Sequence, residues 1–134
     1  MNAKELRIGN YTRDKLNKTT YEINARSLLY LVECEELQKE FSIEPIPISE
    51  EWLLNTGFDR INIPYIDSDE FENYQLYQKH DLIFMHLNSV VYLVHIGPAY
   101  DESVQIYIVG DKYGLKYVHQ LQNIYFDLIG EELK

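Results

Sequence analysis

The segment from Gly114 to Leu133 constrains the fold most strongly, because its apolar residues recur with the period of an amphipathic helix. At about 100° per residue, one broad arc is apolar, and it is formed by Tyr117, Val118, Leu121, Ile124, Tyr125, Leu128 and Ile129. An arc of this width must be buried against another layer of the protein. Gly130 follows the last periodic residue, where a left-handed C-terminal cap is expected. The pattern predicts a helix over about 115–129 that packs on the rest of the chain.

The opposite arc of this helix is narrow and polar, and it supplies the candidate ligand- or partner-binding residues. These are Lys116, His119, Gln120, Asn123 and Asp127. His119 and Asn123 lie one helical turn apart, as do Asn123 and Asp127, so their side chains form a line able to recognise a ligand. A solvated helix face is the simpler interpretation of the same pattern.

A second, shorter helix is predicted near residues 49–56. The preceding Glu44-Pro-Ile-Pro-Ile48 must be extended, since each proline fixes φ and removes a backbone donor. Ser49 has the position of an N-cap, and the two glutamates that follow suit the positive end of the helix dipole. Gly57 is placed to end the helix.

Strand-like segments follow this helix in series. They are Arg60–Tyr65, Asn73–Gln78, Leu82–Leu87, Val90–Ile96 and Val104–Val109. Asn88-Ser89 is a plausible tight hairpin turn, which would pair His86 with Val91. His95 would then lie on the same face about 13 Å away, too far for a shared metal ion. Strands in series closed by one helix predict an α+β fold with a mainly antiparallel sheet.

Residues 1–44 are less clearly patterned, and the sequence favours a small, curled sheet for them. Strands are predicted at Leu6–Thr12, Tyr21–Ile23 and Phe41–Ile43. Asn24–Gln38 is ambiguous, because Ser27–Val32 suits a buried strand whereas the residues after it suit a helix. The length of 134 residues fits a single domain, with a division into 1–44 and 49–134 as the alternative.

Composition limits the compartment and the partners. The formal net charge is −10, from 22 acidic and 12 basic residues, so direct binding to nucleic acid or to an anionic membrane is disfavoured. Cys34 is the single cysteine, which excludes an internal disulfide, and no apolar leader opens the sequence. A cytoplasmic protein is therefore predicted.

Motifs that would indicate an enzyme are weak. The acidic segment Asp67–Glu72 begins like a calcium loop, but Glu72 stands where that loop requires glycine, so an acidic surface loop is favoured over a weak cation site. The chain has no Gly-x-Ser-x-Gly elbow, and Gly110–Gly114 lacks the Lys-Ser/Thr of a phosphate loop. We assign no catalytic residue, metal or cofactor, and a non-enzymatic role is favoured over an enzyme. The 12 tyrosines indicate half-buried packing, or alternatively a contact surface.

Short sequence motifs similar to those of a known group of proteins occur in three segments, Leu6–Tyr11, Glu44–Phe58 and Lys116–Leu133. They include Pro-Ile-Pro-Ile-Ser-Glu-Glu-Trp-Leu-Leu and Lys-Tyr-Val-His-Gln-Leu-Gln-Asn-Ile-Tyr-Phe. These resemble the signatures of short, functionally uncharacterised proteins of Bacteroides-type gut bacteria and of their phages and mobile elements. The resemblance implies an origin and a shared fold, and it implies no mechanism.

Three functions are compatible with these observations. The favoured one is a non-enzymatic protein-interaction or accessory module of a mobile element, since the apolar arc of the final helix is wide enough to contact a partner or a second copy. The second is an acidic decoy that occupies the basic groove of a nucleic-acid-binding enzyme. The third is a small-molecule or carbohydrate binder, or an enzyme, that uses the His119 and Asn123 face of the final helix.

Overall fold

A computed structural model describes residues 2–63, 66–67, 73–98, 104–109 and 114–133. The predicted α+β class with mainly antiparallel sheet is confirmed. The chain forms two compact units: the first combines Met1–Pro47 with Tyr117–Leu133, and the second spans Ile48–Lys116. The alternative division into 1–44 and 49–134 assigns the C-terminal helix to the second part, whereas the structure groups it with the first unit.

The first unit contains a three-stranded antiparallel sheet and two long helices. A 3-10 turn, Ala3–Glu5, is followed by β1 (Tyr11–Asp14), β2 (Thr20–Glu22), α1 (Ala25–Glu36), β3 (Ile43–Glu44) and, after the second unit, α3 (Val118–Ile129). The strand order is β2-β1-β3. A small apolar core is formed by Ala3, Leu6, Ile23 and Leu31, against which Leu28, Phe41 and Ile43 pack.

Helix α1 corrects the strand interpretation of Ser27–Val32, which is wrong. Asn24 caps the helix, because its Oδ1 accepts a hydrogen bond of 2.9 Å from the Ser27 N–H group. Leu31 and Cys34, three residues apart, are the buried residues of the helix. A cap followed by buried residues at helical spacing therefore outweighs the short apolar run that resembled a strand.

The start of the chain also differs from its predicted form. The strand expected at Leu6–Thr12 begins only at Tyr11, after the turn at Ala3–Glu5 and a left-handed Gly9 with φ of 96°. The strand expected at Phe41–Ile43 is displaced to Ile43–Glu44.

The predicted C-terminal helix is confirmed as α3, but it begins at Val118 rather than at 115, so Lys116 lies outside the helix. It begins after Tyr117, whose N–H donates to Gln120 Oε1 at 3.1 Å, and it ends at Gly130 with a left-handed φ of 82°. Val118, Leu121 and Tyr125 are buried. Helix α3 contacts β1 within the first unit.

The second unit is a short helix followed by a six-stranded sheet. Its elements are α2 (Glu50–Asn55), β4 (Asp59–Ile61), β5 (Ile66–Asp67), β6 (Gln75–Lys79), β7 (Leu82–Leu87), β8 (Val90–Pro98) and β9 (Val104–Ile108). The strand order is β4-β6-β7-β8-β9-β5, antiparallel except for the β5–β9 pair. The strand predicted at Arg60–Tyr65 is found at Asp59–Ile61, and its last two residues, Pro64 and Tyr65, lie outside the described residues.

The local signals in the second unit are confirmed. Ser49 Oγ accepts from the Trp52 N–H at 3.4 Å, and Gly57 ends the helix region with a φ of 95°. Asn88 and Ser89 both have positive φ, as a two-residue hairpin turn requires. This turn pairs His86 with Val91, as the sequence predicts.

The six-stranded sheet buries apolar residues on both faces. Leu76, Met85, Val94 and Ile106 form a core on one face. Phe84 lies on the opposite face, where its ring contacts Phe58 edge-on at 5.5 Å between centroids. Because successive side chains of a strand point to opposite faces, each strand can contribute apolar residues to both layers.

Candidate functional site

The candidate site is a groove of the first unit, which we call the α1 groove, with a volume of ≈ 440 Å³. It lies between one flank of helix α1 and the face of the three-stranded sheet. Its apolar and aromatic lining consists of Tyr21, Ile23, Tyr30, Leu31 and Ile43. Its polar lining consists of Thr12, Asp14, Asn24, Arg26, Ser27 and Ser42. Concave sites of this size, mostly apolar with a few polar groups, are typical of ligand and peptide binding.

The strand register brings the floor of the groove together. Thr12 and Asp14 are two residues apart on β1, so their side chains share one face of the sheet. Thr12 pairs with Tyr21 and Asp14 pairs with Ile43, which adds β2 and β3 to that face. From α1, Ser27 and the residues three and four positions later, Tyr30 and Leu31, line the same space.

The two ends of the α1 groove differ in charge. Asn24 and Arg26 belong to the N-terminal end of α1. Ile23, just before this end, donates its N–H to the Asn10 carbonyl at 2.8 Å. Asp14, the last residue of β1, lies four residues along the chain from Asn10, which corresponds to about 13 Å of extended chain. The charged side chains of the groove lining are therefore the Arg26 cation near one end and the Asp14 carboxylate near the other.

The charged groups at these ends are in different situations. Asp14 Oδ1 accepts hydrogen bonds from the N–H groups of Leu16 at 2.8 Å and Asn17 at 3.0 Å. Arg26 is exposed and has no ion-pair partner among the residues that the structure describes. Its guanidinium is available to an anion from outside the chain.

The floor of the groove contains an unsatisfied hydroxyl group. Thr12 is 0% exposed, and its Oγ1 has no hydrogen-bond partner within the described part of the chain. Leaving a buried hydroxyl without a partner costs about 1–3 kcal/mol. A bound group with a donor or acceptor would remove this cost.

Apolar side chains are exposed both in the groove and on the outer side of α1. Tyr21 and Tyr30, one from β2 and one from α1, are both about half exposed. Leu29 is 61% exposed on the outer side of α1, and Val32 lies one turn further along. The hydrogen bond with the Cys34 thiol raises the pKa of Tyr30 above its ordinary value.

The five residues singled out from the sequence have different surroundings. Lys116 is exposed and belongs to the second unit, whereas Asp127 is exposed on α3 of the first. Gln120 accepts the Tyr117 N–H at the start of α3. Asn123 Oδ1 accepts from Arg7 Nε at 3.0 Å and from Asn10 Nδ2 at 2.8 Å. The structure thus places Asn123 inside a polar contact with the N-terminal segment.

His119 is 0% exposed, so the interpretation of this arc as a solvated face is wrong at that position. Its ring stacks on Tyr117 at 5.9 Å between centroids with an interplanar angle of 8°. His119 Nε2 lies 3.5 Å from Glu5 Oε2, within ion-pair distance but without the geometry of a hydrogen bond. Burial lowers the pKa of His119, and the neighbouring Glu5 carboxylate opposes that shift. As ligand- or partner-binding residues, the five remain a prediction.

Gln122 was missed by the sequence pattern, although it is fully buried on α3. Its Oε1 accepts from the Tyr11 N–H at 2.7 Å, and its Nε2 donates to the Gly9 carbonyl at 3.1 Å. Nearby, Arg7 lies over the Phe126 ring at 4.3 Å and pairs with Glu132 at 2.8 Å. No period in the sequence identifies these contacts, because they join residues more than a hundred positions apart.

The groove residues were also missed, because three separate strands and a misassigned helix contribute them. The one available signal was Asn24 followed three residues later by Ser27, which is compatible with a capped helix. The segment Asp67–Glu72, considered as a calcium loop, lies almost wholly outside the described residues. Among those that are described, no group of three or more His, Cys, Asp or Glu residues could hold a metal ion.

Comparison of the chain with protein-family models, curated proteins and solved structures gave no significant match. Within the described ranges, no helix has the length and apolar character needed to span a membrane.

Proposed function

We propose that this protein is a non-enzymatic protein-interaction module and that its binding surface is the α1 groove with the apolar residues beside it. The observation that carries the proposal is the groove itself, a concave site of ≈ 440 Å³ whose lining includes the half-exposed rings of Tyr21 and Tyr30. Apolar side chains grouped on the surface in this way are typical of a contact surface. Tyrosine is enriched in such surfaces because it combines a large ring with a polar tip.

Strand β2 supports an extended protein segment as the partner. It is an edge strand of the three-stranded sheet, and all three of its residues are exposed. An edge strand offers unpaired backbone groups along its outer side, and extended peptides bind such edges in many recognition domains.

The chemistry of the lining favours binding over catalysis. The groups suited to acid–base chemistry are Asp14, which is fixed by its own turn, and tyrosines, of which Tyr30 has a pKa raised further by its hydrogen bond with Cys34. Asn24 Oδ1 is occupied in capping α1. An accessory module that only binds another protein, as the resemblance to mobile-element proteins suggests, needs no catalytic group.

Photo-crosslinking tests this proposal and locates the surface. A benzoylphenylalanine placed at Tyr30, which lines the groove and is 49% exposed, should crosslink a discrete segment of a partner protein in lysate, identified by mass spectrometry. The matched control is the same substitution at Leu128, which is 51% exposed on α3 of the same unit. Crosslinking at Leu128 but not at Tyr30 would assign the surface to α3, and a monomer without crosslinks at either position would refute an interaction module.

Salt dependence separates this proposal from the acidic decoy. An association driven by the apolar surface should survive 1 M NaCl, at which the Debye length is about 3 Å. A partner that binds nucleic acid and dissociates at that salt concentration would favour the decoy instead.

A further inference from the structure

We propose that the α1 groove binds the free C-terminal carboxylate of an extended peptide, with the carboxylate at Arg26 and the first turn of α1. This inference rests on the proposed function and names the chemistry of the partner.

The basic end of the groove is suited to a carboxylate. Arg26 is exposed at the rim and lacks an ion-pair partner within the described residues. Helix α1 is twelve residues long and has no acidic residue in its first turn, so no negatively charged side chain of that turn offsets the positive end of its dipole. An arginine fork beside a helix N-terminus binds carboxylates by charge-assisted hydrogen bonds.

The floor of the groove independently indicates a polar occupant. Thr12 is fully buried, lines the groove and keeps an unpartnered Oγ1 among the residues described. It lies between the two charged ends, on β1 opposite Tyr21. A peptide running along the groove carries a backbone N–H or carbonyl at every residue, and either group would satisfy this hydroxyl.

The remaining length of the groove sets the peptide's other features. Its middle is apolar, with Ile23, Leu31 and Ile43, and therefore suits apolar side chains. At about 3.3 Å per residue, a peptide anchored near Arg26 reaches Asp14 with roughly its fourth residue from the C-terminus. The negative charge of Asp14 favours a lysine or arginine at that residue.

A long-chain fatty acid has the same apolar body and carboxylate but a different fit. It carries no group that would satisfy Thr12 and no cation for Asp14. The charge at both ends of the groove therefore favours the peptide, and dodecanoate serves as the probe for the alternative.

The experiment selects peptides from a library of random heptapeptides displayed with free C-termini. Selected peptides, synthesised with a fluorophore, are then measured by anisotropy as free acids and as C-terminal amides. We expect apolar sequences with a basic fourth residue from the end, and binding at least about tenfold weaker for the amides, because charge-assisted hydrogen bonds to the carboxylate are lost.

Variants assign the site. Arg26→Gln should weaken the free acid by about the same factor as amidation and leave the amide unchanged, since both changes remove one contact. Lys4→Gln, an exposed cation of the same unit outside the groove lining, is the matched control and should have no effect. Circular dichroism of each variant checks that the fold is intact.

The outcomes separate this inference from the proposed function. Equal affinity of acids and amides, or equally strong selection of internal segments, overturns the carboxylate and leaves the interaction module in place. Dodecanoate binding that depends on Arg26, with no peptide selected, overturns the peptide. Empty selections together with no crosslink at Tyr30 overturn both proposals.

Discussion

The two units of this protein are stabilised by different kinds of contact. In the second unit, apolar side chains alternate along neighbouring strands, and each hairpin brings its own core residues together. In the first unit, polar side chains of α3 bind the backbone and side chains near the N-terminus. The core of the second unit is therefore built by residues close together in the sequence, whereas the first unit depends on contacts between distant parts of the chain.

This difference has consequences for stability. Apolar layers contribute through buried area, so each residue is replaceable by another of similar volume. A buried amide such as Gln122 satisfies specific backbone groups, and removing it leaves those groups without a partner. The first unit should therefore tolerate fewer substitutions per buried residue than the second.

The largest effect is expected in the apolar core of the second unit. Phe84→Ala removes a ring that is 0% exposed and contacts Phe58, and it should lower the free energy of unfolding by about 3–5 kcal/mol. Hydrogen exchange should show the loss of protection in residues 73–98. Tyr107→Ala, at a half-exposed residue of the same sheet, is the control and should cost far less. Equal losses in the two variants would contradict this description of the core.

The next largest effect is expected from a substitution that removes polar contacts of the first unit. Gln122→Leu keeps the volume but strips the Tyr11 N–H and the Gly9 carbonyl of their partner, which should cost about 2–3 kcal/mol. Its control, Gln75→Leu, removes a half-buried amide that donates to the Ile61 carbonyl, and it should cost under about 1 kcal/mol. If Gln122→Leu proved neutral by denaturant unfolding, the first unit would resemble the second in its packing.

The features predicted correctly from sequence are those whose physical cause lies within a few residues. Ser49 and Gly57 delimit α2, and Asn88-Ser89 sets the hairpin register, because caps and tight turns act over three or four residues. Helix α3 was likewise evident from its period. Helix α1 was not, because the apolar run Leu28–Val32, of only five residues, fits a strand and a helix equally well.

The candidate site could not be predicted, because its parts acquire meaning only in the fold. Arg26 and Thr12 are ordinary residues in the sequence, and the register of three strands places them along one groove. His119 was noticed as a polar residue, but its burial against Tyr117 follows from the tertiary structure. A single sequence does not contain the long-range pairings that decide these environments.

Lowering the pH should destabilise the first unit through His119. Burial lowers the pKa of His119 below 6.5, its ordinary value, so the folded protein favours the neutral ring. The stabilising contribution is present above pH 6.5 and is lost as the pH falls through the folded-state pKa. Glu5 faces the ring and reduces the effect. Urea unfolding at pH 7.5 and pH 5 should show this dependence, and His119→Phe should flatten it.

His86 in the second unit provides the comparison for that measurement. Burial also lowers the pKa of His86, but this residue is only partly buried. Hydrogen exchange at pH 5 should therefore show a larger loss of protection in α3 than in β7. A larger loss in β7 would assign the pH dependence to His86.

The smallest effect on stability is expected at the floor of the α1 groove, where it separates a binding site from a packing defect. Thr12→Val replaces the unpartnered hydroxyl with a methyl group of similar size, so the free energy of unfolding should be unchanged or higher by up to about 1 kcal/mol. Binding of the selected peptides should weaken several-fold, because their backbone loses its hydrogen-bond partner. A stable variant with undiminished affinity would show that Thr12 faces no ligand. A destabilised variant would show that the Thr12 hydroxyl already stabilises the fold. Thr12 would then contribute to the first unit in the same way as Gln122, through a polar contact.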